Sequence, residues 1–456
     1  MKAGAAEVRL PLPAGAPMMG YGARVGRAAG EHDPLHARAV YLEERGRVLL
    51  LQLEVCLLAV PHAEALVERL AGATGLAAEE IWVATTHTHS GPETGAAASL
   101  AGDAPPEWMM PIHAAAEEAA RAAMAATVPA RAGFGSGEAT IGHNRREPGG
   151  AVDPSVVVLR VDAEAGGTIA VAYVHGTHPT VLGHENLEWS ADWPGASAER
   201  VREVFPGAVP IFLLGAHADV DPRTRGIQDL SIPGQSVGAG FSACETLGRE
   251  VGEAVVSAAQ GATLGASFAV AARLERIRIP IHDGADDAAR KASLAARARD
   301  ASMALGLDPA EPLRVSQAYA LEQERTAGLP ADEVRERVAR VRLFVRDRTA
   351  ARVAGGVVPE VAVRVLRLGD ASWLGLPAEV TAELGLAWKA GRAEGSALLS
   401  NVGGWLRYLP HPDRFRAANG HHHYEVLNST LEPGASLRLL AAGASLAAAA
   451  EPPATP

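Results

Sequence analysis

Seven short, unbroken apolar runs set the limits of what this chain can fold into: VLLLQLEV (48–55), IWVATT (81–86), SVVVLRV (155–161), TIAVAYV (168–174), VPIFLLG (209–215), VAVRVLRLG (361–369) and ALLSNV (397–402). They are continuous instead of alternating, the pattern of strands covered on both faces. Helical patterns separate them, at Glu107–Val128, Cys244–Ala259, Asp287–Leu305 and Ala331–Asp347. This order predicts an α/β fold with mixed β-sheets layered by helices. No Gly/Ser-rich or Pro-rich linker divides the chain, so the expectation is one domain over residues 1–446. Within it, 281–350 reads as a helical excursion, and the Ala/Pro-rich residues 447–456 read as a frayed tail.

Composition removes several classes of function. Lys+Arg number 42 against 53 Asp+Glu, a net charge of −11, which disfavours nucleic acid and anionic membrane surfaces as partners. No apolar run reaches the roughly 18 residues of a membrane span. The opening MKAGAAEVRLPLPAG lacks the apolar centre of a signal peptide, so a cytoplasmic protein is expected. Two cysteines, Cys56 and Cys244, make neither a disulfide framework nor a Cys-rich zinc site. Any metal site must therefore draw on His, carboxylates or Tyr.

The histidines concentrate where apolar strands end. Six of the 16 lie in three such places. IWVATTHTHSGPE carries His87 and His89, which share a face if the strand runs through them. AYVHGTHPTVLGHENLEWSADWPG carries His175, His178, His184 and Asp192, and IFLLGAHADVDPRT carries His217, Asp219 and Asp221. Further on, ASWLGLPAEVT places Glu379 after another apolar strand, and Tyr408, Tyr424 and His421–His423 follow. Strand ends are where α/β folds build ligand sites. Two His and a carboxylate with one position left open is the composition of a catalytic zinc site, and its chemistry is hydrolysis of an amide or ester. A TIM-barrel amidohydrolase also begins with His-x-His after a strand. It needs eight regular βα units and a downstream metal-binding Lys or Asp, which the irregular strand spacing and three lysines disfavour.

Several of these motifs resemble neutral ceramidases. Thr86-His87-Thr88-His89-Ser90-Gly91-Pro92 is similar to that family's T-H-T-H-S-G-P signature. Met19-Gly20-Tyr21, His32, Ala37-Arg38-Ala39, Asn144-Arg145, His178 with Asp192 fourteen residues on, Ala218–Pro222, Leu376–Glu379 and Tyr424-Glu425 extend the resemblance over residues 1–435. It implies one zinc ion held by His87, His178, Glu379 and Tyr408. It also implies that His89, Arg145 and Tyr424 line the pocket around the scissile amide, with Tyr424 and Asp192 binding substrate. Asp221 stands where the family has its nucleophilic Ser, and is expected to act as general base toward the attacking water. The expected protein lacks the family's C-terminal immunoglobulin-like domain. Aromatic residues are only 4%, and no apolar amphipathic segment suits a membrane surface, so the expected substrate is soluble instead of a lipid. The leading expectation is a zinc-dependent hydrolase cleaving the N-acyl amide of a small molecule, without stable membrane association. An esterase or carbohydrate-active enzyme on the same scaffold, or a non-catalytic ligand-binding homologue, are the alternatives.

Overall fold

The computed structural model describes residues 1–95, 105–225, 238–280, 360–416 and 424–450, apart from Pro13, Gly22, Ala23, Val25 and Thr430. The 281–350 excursion with its two expected helices, and the His421–His423 run, lie outside the described residues. The main sheet has eight strands in the order Val209–Leu214, Thr168–His175, Ser155–Ala163, Val128–Glu138, Lys2–Arg9, His36–Glu44, Gly46–Leu53 and Ile81–Thr85. Its two outermost pairs are parallel and the inner pairs antiparallel, so the sheet is mixed. Each parallel pair is joined by a crossover helix, Val60–Thr74 at one edge and Trp193–Val204 at the other.

The unbroken apolar runs are explained by what covers the sheet. Leu49, Leu51 and Leu53 pack with Leu66, Leu70, Ile112 and Ala116 of the helices Val60–Thr74 and Met109–Ala125. Their neighbours Val48 and Leu50 point the other way, into a core shared with Leu366, Trp373 and Leu399 of a second sheet. That sheet orders Val270–Arg278, Glu360–Leu368, Ala371–Gly375 and Ala397–Leu399. Val156, Val158, Tyr173 and Leu214 face the helices Trp193–Val204 and Phe241–Gly261. Both faces of the main sheet are thus buried, as continuous hydrophobicity requires.

The main sheet curls until its two edges approach each other. The edge strands Ile81–Thr85 and Val209–Leu214 are in contact, and Phe212 N–H donates to Gln52 Oε1 at 3.0 Å. A segment from the second sheet is wedged between the edges: Ser400 N–H donates to Leu214 O and Gly403 N–H to Val83 O, both at 2.8 Å. The curl brings together the carboxyl ends of Ile81–Thr85, Thr168–His175 and Val209–Leu214, the three places where histidines concentrate. At the other end of the chain, the helix Ala435–Ala449 runs into what the composition marks as a frayed tail. Among the described residues no helix is long and apolar enough to cross a membrane.

Candidate metal centre

Four side chains from four separate segments meet where the sheet edges close. His87 follows the strand Ile81–Thr85, but the strand does not continue through it. Its φ of 67° is left-handed, an uncommon conformation for a residue other than glycine, and it turns the ring inward. His87 and His89 therefore do not share a strand face; their rings stand edge-on at 4.7 Å. His178 lies in the loop after Thr168–His175 and His217 in the loop after Val209–Leu214. Glu379 opens a two-residue strand, Glu379–Val380, paired in parallel with Tyr408–Leu409.

Each imidazole is pinned by a backbone carbonyl. His87 Nδ1 is 3.1 Å from Cys56 O, His178 Nδ1 3.0 Å from Val220 O, and His217 Nδ1 3.1 Å from Gly215 O. A carbonyl only accepts, so in each ring Nδ1 carries the proton that it donates. Nε2 is then the atom left to act as a ligand, the arrangement typical of metal-bound histidine. The three Nε2 atoms face one oxygen, Glu379 Oε2, at 3.4, 3.4 and 3.7 Å for His87, His178 and His217. The ligand atoms of the four residues all lie within 4.8 Å of one another. Among the described residues, Glu379 Oε2 and His217 Nε2 are buried without a hydrogen-bond partner. Orphaned polar atoms of this kind call for an explanation, and a cation among three imidazoles and a carboxylate supplies one.

The electrostatics agree with that reading. Burial works against the charge on Glu379, but His87 and the other imidazoles hold its carboxyl well below the usual range. Burial pushes His217 down to about 3 and lowers His178 too, so both are neutral donors. Burial also opposes a charge on His87, yet Cys56 and Glu379 hold its pKa well above the ordinary value. A proton on His87 balances the buried carboxylate, and a bound cation would take over that task and release the proton.

The remaining expected residues surround this cluster. His89 Nε2 is 3.3 Å from His87 Nε2, and its Nδ1 is buried without a partner among the described residues. Its backbone is held by buried Arg24, which donates to the carbonyls of His89, Met19 and Asn186 at 2.7, 2.8 and 3.0 Å. Asp221 lies on the outer side of His178, with Oδ1 3.7 Å from Nδ1, and accepts from Arg145 at 3.2 Å. Burial would raise its pKa, but Arg145 brings it down to about 2. Arg145 also donates to Glu425 at 2.8 Å. Asp192 caps the helix Trp193–Val204 and accepts backbone N–H bonds from Val181, Leu182 and Trp193 at 3.1, 2.9 and 2.8 Å. Tyr408 is buried beside Glu379 in the strand register. Tyr424 begins the helix Tyr424–Leu427. His175 turns away to Ser155 O and Thr177. Two members were not singled out as site residues from the sequence. His217 carries the same signal as His87, a His just past an apolar strand end. Trp405, whose indole N–H donates to Glu379 Oε1 at 2.9 Å, carries none.

No family model and no curated protein matches the sequence. The fold does have counterparts among solved structures. Neutral ceramidase from Pseudomonas aeruginosa superposes with a TM-score of 0.69 at 19% identity, covering 98% of this chain and 74% of that one. A structure described as ceramidase complexed with C2 gives a TM-score of 0.69 at 18% identity, covering 100% and 76%. The fold is neutral-ceramidase-like. This ceramidase-like scaffold is the mixed α/β architecture expected from the apolar runs and motifs.

Proposed function

We propose that the protein is a metal-dependent hydrolase of an N-acyl amide in a small-molecule substrate. The observation that carries the proposal is the convergence of three Nε2 atoms on the unpartnered Glu379 Oε2 within a ceramidase-like fold. His87, His178, His217 and Glu379 would hold the ion, and zinc is the ion this N/O donor set suits among hydrolytic metals. Such an ion supplies Lewis acidity toward a carbonyl and lowers the pKa of water.

The chain's own residues do the rest. His89, beside His87 and with a ring nitrogen to spare, is assigned to donate a hydrogen bond to the substrate carbonyl as charge develops on its oxygen. Asp221 is held by Arg145 at a pKa of about 2, so it is too weak a base to share a proton effectively near neutrality. Its place beside His178, whose Nδ1 already donates to Val220 O, supports an electrostatic role toward this ring instead of the general-base role that its sequence position suggests. Arg145, anchored between Asp221 and Glu425, fixes that carboxylate. Asp192 shapes the loop after His178 through its three amide contacts. Tyr408, adjacent to Glu379, remains a candidate ligand, and Tyr424 a candidate for substrate binding.

The test is a panel of N-acyl amines, N-acyl amino acids, N-acyl sugars and matched esters, run with zinc-reconstituted and chelated protein. Amide cleavage that requires zinc supports the proposal. Cleavage confined to esters or glycosides, or binding without turnover, would replace it with the corresponding alternative.

A further inference from the structure

Glu379 is a buried carboxylate with two oxygens, and the structure treats them differently. Oε2 faces the three imidazoles and has no hydrogen-bond partner among the described residues, whereas Oε1 accepts the indole N–H of Trp405 at 2.9 Å. The indole is placed by the backbone before it. Gly403 and Gly404 have φ of 76° and 120°, and a Cβ on Gly404 would lie 2.6 Å from Val60 Cα. Only glycine lets the chain come this close to the start of the helix Val60–Thr74, where Trp405 forms a bridge with Ala59. The ring then packs with Met19, Cys56 and Leu57, in an apolar cluster directly beside the site. Among the described residues, the indole N–H donates to the outer oxygen of Glu379.

We propose that Trp405 is a positioning residue that restricts Glu379 to a single ligating oxygen. By holding Oε1, the indole fixes the carboxylate plane and directs Oε2 alone toward the three Nε2 atoms. Without that donor, Oε1 is free to turn inward, and the carboxylate loses both its orientation and the hydrogen bond from the indole. The assignment rests on the metal reading above, and outer partners of metal ligands typically account for 10–100-fold in affinity.

The test compares wild type with Trp405→Phe, which keeps an aromatic ring in the apolar cluster and removes the N–H. Zinc affinity is measured by competition with a chromophoric chelator, alongside urea denaturation of the metal-free proteins. The expected result is one zinc per chain in both, with a dissociation constant 10–100-fold weaker in the variant. A merely structural Trp405 would lower the urea midpoint and leave the zinc affinity unchanged, which overturns the assignment. Should Trp405→Phe not fold, wild-type protein labelled with 15N-tryptophan gives the same answer. The Trp405 indole N–H resonance, told apart from that of Trp193 (which donates to His178 O) by its contacts with Met19 and Leu57, should shift on zinc saturation and be displaced in Glu379→Ala; an unmoved Trp405 resonance overturns the assignment. Wild type that takes up no zinc at all overturns the metal reading, and this assignment with it.

Discussion

Replacing Glu379 by Gln changes charge while keeping size, and so isolates what the carboxylate does. The amide oxygen can still accept from Trp405, and the amide N–H groups face bare imidazole nitrogens, so the metal-free fold should survive within about 1 kcal/mol. What disappears is the anionic ligand. If zinc binds only the native state, wild-type stability rises by about 1.4 kcal/mol for each tenfold increase in free zinc above the dissociation constant, reaching about 2.7 kcal/mol at a hundredfold excess. Glu379→Gln should show no such rise over the same range. The assay is urea denaturation across metal-buffered zinc concentrations, with a chelated sample as baseline. A slope of one zinc per chain in wild type, absent in the variant, is the expected outcome. An identical slope in Glu379→Gln would remove Glu379 from the site.

Three further outcomes follow from the geometry. Gly20 has φ of 110°, and a Cβ there would lie 2.4 Å from the His89 ring; Gly20→Ala should thus displace His89, keep zinc bound and lower kcat by about 10²–10³-fold on the substrate the panel identifies. Unchanged turnover would argue that His89 has no part in the reaction. Burial raises the Glu93 carboxyl from 4.5 to about 7, so the native state binds the proton more tightly than the unfolded chain and wild-type stability falls as pH rises from about 4.5 to about 7. That gap corresponds to about 3 kcal/mol, and Glu93→Gln should flatten it in urea titrations at pH 4.5 and pH 8; an unaltered pH dependence counts against the burial argument. Asp192→Ala strands three backbone N–H groups and removes a helix cap, which should cost about 2–5 kcal/mol in the same assay, whereas a loss under 1 kcal/mol would mean the loop does not depend on it.

Much of the scaffold was legible because its strands are buried on both faces and so read as unbroken apolar runs. The strand Val128–Glu138 was not, since its sequence VPARAGFGSGE contains no unbroken apolar run. Its glycines are there for packing: a Cβ on Gly133 or Gly135 would collide with the carbonyls of Thr263 and Ala258. Lys2–Arg9 escaped for a related reason, being built from small and charged residues. At the site, His87, His178 and Glu379 were legible from strand ends and motif spacing. His217 as their companion depends on the curl of the main sheet, which brings two edge strands together and which no local pattern encodes. The left-handed turn at His87 and the hydrogen bond from Trp405 are likewise products of tertiary structure.

Whether His87, His178, His217 and Glu379 hold a metal ion is tested most directly by locating that ion. Crystals of zinc-reconstituted protein, measured on both sides of the zinc absorption edge, would show whether an anomalous peak lies among these side chains. One peak per chain is expected, about 2.0–2.2 Å from the three Nε2 atoms and from Glu379 Oε2. A fully reconstituted protein with no peak there, or with its zinc at another site, would contradict it.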